Sequence, residues 1–135
     1  MRTLAIDWGE RRIGVAVSDP DGRVAVPLDT VRVVCETQAL NAIDALCRDT
    51  EAQRIVVGLP VNMDGTRGPT AERARRFGEK LQTAAGLPVV FWDERLSSAM
   101  ADRQLAHLSG QKRAASRDRH AARIILEGWL DAQQG

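Results

Sequence analysis

The run Arg54 to Pro60 (RIVVGLP) is apolar without alternation. A strand of that kind is buried on both faces, so the chain must build a sheet with helices above and below it. Leu87 to Trp92 (LPVVFW) is a second buried run of the same type. Three shorter β-rich runs precede them: Arg2 to Trp8, Arg12 to Ser18, and Arg23 to Val34, the last interrupted at Pro27. The stretch GERR beginning at Gly9 reads as a hairpin turn, and Asp19 to Gly22 (DPDG) as a second tight turn.

Helical spacing appears between and after the buried runs. Leu40, Ile43, Leu46 and Cys47 share one face behind a cap at Thr37. Ala71, Ala74, Phe77, Leu81 and Ala85 share another, with Gly86 as a stop and Gly78 allowing close approach to the sheet. Leu96, Ala99, Met100 and Leu105 begin a third helix. The basic segment Ser109 to Arg117 bridges to a last one carrying Ala122, Ile125, Trp129 and Leu130. The order βββαβαβαα predicts a single α/β domain over residues 1–135. Its expected core is a mixed five-stranded sheet, a three-strand antiparallel meander plus parallel strands, with helices on both faces.

Net charge is +1, but 17 of the 19 basic residues are Arg, and Arg103 to Arg123 carries six basic residues against one acid, Asp118. Arg suits bidentate phosphate contacts, so this segment fits an anionic partner as well as a solvated helix face. Cys35 and Cys47 lack metal-ligand spacing, and Cys47 falls in phase with Ile43 as core filler, so a reducing cytoplasm is expected. The first residues form neither a signal peptide nor a membrane span.

Asp7 follows Thr3 and Ala5 in the period of two, near the carboxyl end of the first strand, where ligands gather in α/β sheets. Asp93 and Glu94 begin where the second buried run ends. Asp118 precedes Ala122, Ile125 and Trp129 on one helical face. Each acid has a structural alternative: Asp7 on turn amides, Asp93 as a helix cap, Glu94 and Asp118 as first-turn acids, the last with Ser116 as cap. Together they would repel one another unless a divalent cation balances them, and carboxylate oxygens suit Mg²⁺ or Mn²⁺. The residues by themselves do not choose between Asp93 and Glu94.

In Gly58 to Thr70 (GLPVNMDGTRGPT), Thr66 or Thr70 can cap the next helix, whose free amides with Arg67 could hold a phosphate; the spacing is not that of a Walker loop. His107 and His120 lack ligand spacing. Trp8, Trp92 and Trp129 read as core, with Trp8 on the face opposite Asp7.

With these motifs in view, AIDWGERRIGVAVSD, GLPVNMDGTRGP, DERLSSAMADRQL and DRHAARIIL, the chain resembles the YqgF/RuvX family along essentially its whole length. That family is described both as Holliday junction resolvases and as pre-16S rRNA nucleases. The resemblance implies an RNase H-like fold and catalytic, metal-binding carboxylates at Asp7, Glu94 and Asp118. It implies a cytoplasmic nuclease, monomer or homodimer, that hydrolyses phosphodiester bonds with Mg²⁺ or Mn²⁺. The expected contacts to nucleic acid, pre-rRNA or branched DNA, are Arg11, Arg12, Arg67, Arg95, Lys112, Arg113 and Arg117. Ser97-Ser98 stands where the family usually has Thr-Thr, and Arg119-His120 beside the third acid is more polar than the pattern. Three rival readings remain: a junction resolvase using the same site, an actin- or sugar-kinase-like ATP-binding lobe, and a non-catalytic RNA-binding assembly factor. The ATP-binding architecture pairs two lobes, and 135 residues supply one.

Overall fold

A computed structural model describes residues 1–62, 64–96 and 114–134, of which 114–119 and 134 are described by their backbone alone. Strands β1 (Thr3–Asp7) and β2 (Arg12–Ser18) form an antiparallel hairpin, with Asp7 opposite Gly14. A Cβ on Gly9 would lie 2.4 Å from the Arg12 carbonyl oxygen, so this turn closes only around glycine. At the next turn Gly22 has φ +72° and donates its N–H to the Asp19 carbonyl at 2.9 Å. The Asp19 carboxylate accepts the Arg23 and Val24 amides at 2.7 and 2.9 Å, and these bonds hold its pKa below the ordinary value.

The third β-rich run divides. β3 (Ala25–Pro27) pairs with one end of β2 and β4 (Val31–Arg32) with the other, giving six strands among the described residues where five were expected. Pro27 sits at a non-hydrogen-bonded position of this edge strand, where its missing amide costs no ladder bond, and the Leu28 amide still donates to the Val15 carbonyl at 2.8 Å. β5 (Arg54–Leu59) lies parallel to β1, and β6 (Val89–Asp93) parallel to β5, in the order β3-β2-β1-β5-β6. β5 is buried as its composition predicts. β6 is half-buried along its length, not buried as expected, because as the last strand it has one neighbour in the sheet.

Helix α1 (Glu36–Thr50) starts after Cys35, not at a Thr37 cap. Thr37 falls inside the first turn, and Gln38 Oε1 accepts the Val34 amide at 3.1 Å. Helix α2 (Pro69–Ala85) is capped by Gly68, with Pro69 in the first turn, and ends at Gly86, φ +69°. Neither Thr66 nor Thr70 caps it. The Thr66 hydroxyl donates to Asp64 at 2.6 Å and accepts from Asn62 Nδ2 at 3.0 Å, while Thr70 is already helical. Gly78 lets α2 touch the sheet, since a Cβ there would meet Phe91 Cε1 at 2.6 Å.

Glu94–Leu96 forms a single 3-10 turn, and Leu96 is exposed; Ala99, Met100 and Leu105 lie outside the described residues. The last helix, α3 (Ala114–Gln134), begins within the expected bridge, so Ser116 is inside it and not its cap. The pair Ala114-Ala115 favours helix over loop. Two apolar clusters result. Leu4, Ile6, Ile13, Ile43, Val57, Phe77 and Leu81 fill the side under α1 and α2, and Ala5, Ala16, Val56, Ala122, Ile125 and Trp129 the side under α3. Among the described residues no helix is long and apolar enough to cross a membrane.

Candidate active site

Because β1, β5 and β6 run parallel, their carboxyl ends share one rim. Asp7 closes β1. Its alternation with Ala5, which packs in the α3-side cluster, sets it on that face, half-buried. The register Ile6↔Val57 puts Gly58 on the next rung beside Asp7.

Glu94 is fully buried. Its Oε1 lies 3.0 Å from where a Gly58 Cβ would stand, and Ile125 Cδ1 lies 2.5 Å from that point. The missing Cβ therefore leaves the space in which the carboxylate sits, between the β5 backbone and α3. Nothing in the charge pattern names Gly58. A lone glycine inside an apolar strand is the signal, since it marks close approach of another group to the backbone.

Asp93 does different work. Val89 and Phe91 pack toward α1 and α2, whereas Val90 and Trp92 pack toward α3, so alternation puts Asp93 on the side away from Asp7. Its Oδ1 accepts the Arg95 amide at 2.9 Å, and its Oδ2 accepts Arg95 Nε at 3.0 Å and Nη2 at 2.7 Å. These bonds cap the 3-10 turn, hold the Asp93 carboxyl below its usual range and raise the Arg95 guanidinium. The capping alternative thus holds for Asp93, and Glu94 is the acid seated over Gly58 on the α3 side.

Asp118 lies in α3, four residues before Ala122, on the helical register of the buried Ala122, Ile125 and Trp129; its side chain is outside the described ones. Among the described residues no three His, Cys, Asp or Glu side chains form a metal-holding group. Asp7 and Glu94 are the two carboxylates described on this side of the rim.

The expected phosphate contacts divide similarly. Arg11 and Arg12 are exposed at the start of β2, and Arg67 is exposed with Nη1 3.9 Å from Glu72. Arg95 Nη1 comes within 3.8 Å of a Cβ position on Gly65, so it borders the turn in which Gly65 donates to the Asn62 carbonyl at 2.9 Å. Bonds from Thr66 lower the Asp64 pKa in that turn. Lys112, Arg113 and His107 lie outside the described residues, and Arg117 is described by its backbone in α3. His120 is exposed, with Nδ1 2.8 Å from Arg123 Nη2. Trp129 is core, with the Arg54 guanidinium 4.4 Å from its ring centre; Trp8 and Trp92 are half-buried on opposite sides of the sheet.

Comparison with known proteins adds three findings. Residues 1–132 match the RuvX family, described as a Holliday junction resolvase. Proteins named "Putative pre-16S rRNA nuclease" are similar throughout. The one from Anaeromyxobacter sp. (strain K) is 48% identical over 133 residues, covering 97% of each chain. That from Caldanaerobacter subterraneus is 41% identical, covering 99% of each. Among solved structures, Thermus thermophilus RuvC in complex with a Holliday junction substrate shares the fold at TM-score 0.61 and 20% identity, covering 100% of this chain and 97% of that one. The fowlpox virus Holliday junction resolvase does so at TM-score 0.54 and 9% identity, covering 98% and 99%.

Proposed function

The chain belongs to the RuvX family, and on that premise we propose that it is a nuclease hydrolysing phosphodiester bonds at the 5′ end of 16S rRNA precursors in the cytoplasm. Asp7, Glu94 and Asp118 are its catalytic carboxylates. The observation that carries this reading is the buried Glu94 carboxylate, seated over Gly58 on the rung beside Asp7. Paired carboxylates at a strand-end rim are the oxygen donor set of a hard divalent cation, so the residues present fit Mg²⁺ or Mn²⁺. Asp7 and Glu94 would hold it, with Asp118 as the third ligand. Held there, the ion would supply an activated water at neutral pH and offset charge on the leaving oxygen, a chemistry that asks for no protein nucleophile.

The chain's own residues supply orientation. Glu94 is held between the β5 backbone and Ile125, which fixes its carboxylate before substrate arrives. Asp93 clamps Arg95 through the side-chain bonds given above, presenting a preset guanidinium for a phosphate. Arg11, Arg12 and Arg67 add exposed charge near the rim, and Lys112, Arg113 and Arg117 lead to Asp118. Such contacts make binding fall steeply with salt.

A second reading, symmetric cleavage of a DNA four-way junction, is favoured by the family's description. It requires two copies acting together, whereas the RNA reading accommodates a monomer or homodimer. The test is Mg²⁺-dependent cleavage of a pre-16S 5′ leader beside a four-way junction, with Asp7→Asn as control. Cleavage of the leader supports the first reading. Paired cuts in the junction alone select the second, and cutting that Asp7→Asn leaves undiminished overturns the site.

A further inference from the structure

On the side of β1 away from Asp7, under the first hairpin, lies a cavity of about 170 Å³. Trp8, Ile13, Val33 and Phe77 line it, with Glu10 and Glu36 among the lining residues. Ile13 and Phe77 belong to the closed core, and Trp8 and Val33 are half-buried against it. An apolar protein cavity of about 150 Å³ accepts one benzene ring, so this one matches a single six-membered ring in size. Two aromatic side chains in its wall suit a flat π-system, for which stacking is the usual source of affinity.

The charges narrow the ligand. Glu10 Oε2 is 3.7 Å from Arg73 Nη1, and Lys80 Nζ donates to Glu36 Oε1 at 2.6 Å. Each acid carries its own cation, so the cavity does not repel a polyanion. A carboxylate accepts from the exocyclic amino group of cytosine and meets the O4 acceptor of uracil at the same place. Position also matters. Trp8 directly follows Asp7, about 3.8 Å further along the backbone, and the two side chains take opposite faces of β1. A nucleic-acid strand crossing the tip of β1 with one phosphate near Asp7 would bring an adjoining base to the side of the strand that holds the cavity.

We propose that this cavity is a base-binding subsite that receives one unstacked, amino-bearing pyrimidine ring of the bound strand, next to the phosphate at Asp7. The proposal rests on the nuclease reading and gives it a preference in sequence.

The test measures binding of the full chain to single-stranded RNA by fluorescence anisotropy, at low salt without divalent metal, so that no strand is cut. One abasic position is walked along the RNA, and cytosine is exchanged for uracil at the position that responds. One abasic position should weaken binding roughly tenfold, and uracil there should bind several-fold less well than cytosine. Val33→Phe fills the cavity and should erase that penalty, Trp8→Ala should reduce it, and Trp8→Phe should retain it. In the unmodified protein, a 5-iodopyrimidine at that position should photocrosslink to Trp8, a readout that does not depend on any variant folding. A flat abasic scan, or a penalty that Val33→Phe and Trp8→Ala leave intact, overturns the subsite while binding itself still supports the nuclease reading. Equal affinity for cytosine and uracil removes the carboxylates' part. An RNA that fails to bind at all overturns both.

Discussion

Toward α1 and α2 the strands present Leu4, Ile6, Ile13, Ile55 and Val57; toward α3 they present Ala5, Ala16, Ala25, Val56 and Gly58. The strands carry mostly large side chains on one face and mostly small ones on the other. On the first side large strand residues meet Ile43, Phe77 and Leu81 from the helices, and small residues such as Ala39, Ala74 and Gly78 let α1 and α2 come close. On the second side large residues come from the helix, Ile125, Leu126 and Trp129, and the sheet is shallow enough for a carboxylate to lie against its backbone. A buried acid needs that depth as much as it needs compensation for its charge.

The strongest way to break this contrast is at the polar end of the shallow face. Asp7→Asn should lower Mg²⁺-dependent cleavage by about 10²–10³-fold or more while the melting temperature stays near that of the parent, measured by single-turnover cleavage and calorimetry. Next come matched glycines. Gly58→Ala drives a Cβ onto Ile125 and Glu94, and should cost about 1–3 kcal/mol in urea unfolding together with about a hundredfold in cleavage. Gly78→Ala drives a Cβ onto Phe91, and the better helix propensity of Ala offsets part of that clash. It should cost about 1 kcal/mol and leave cleavage per folded molecule unchanged. Equal loss of cleavage in both variants would dissolve the distinction between the faces.

Thiol chemistry probes the side under α1 and α2. Burial, with Asp44 nearby, pushes the Cys47 thiol up to about 11 from 9.0. Its thiolate at pH 8 is thus about a hundredfold scarcer than that of an ordinary thiol. Cys35 is exposed, so a maleimide or disulfide reagent should modify one thiol per native chain and both after unfolding, counted by mass spectrometry. The smallest effect concerns the neighbour of Glu94. The Asp93 pKa is lowered by its bonds to Arg95, so its contribution to stability is present above about pH 4 and fades as pH falls through the lowered value. Asp93→Asn should therefore cost about 1 kcal/mol or less at pH 7, with the difference vanishing in acid, as read from melting temperature against pH.

Much of the layout was legible locally because local rules govern it. Tight turns at Gly9 and Gly22, the buried parallel strand β5, the faces of α1 and α2 and the stop at Gly86 each follow from a few adjacent residues. Boundaries failed where a neighbour decided them. Gln38, not Thr37, serves the start of α1, Thr66 is drawn to Asp64, and α3 is already under way before Ser116. The half-buried state of β6 depends on its place at the end of the sheet, which no pattern within Leu87 to Trp92 records.

For the site, the sequence by itself determined that a carboxylate closes the first strand, that an acid pair closes the strand following α2, and that an acid precedes the apolar face of the last helix. Those are properties of spacing along one chain, and period and polarity suffice to state them. The family resemblance pointed to Glu94, and the tertiary structure separates the two adjacent acids. Asp93 and Glu94 are adjacent in sequence, and the side of the sheet each one takes depends on where β6 ends and where the backbone turns. One carboxylate meets the Arg95 guanidinium, and the other enters the space that Gly58 leaves open beneath Ile125. That space is made by residues far apart in the sequence, so it exists only once β5 and α3 have packed together.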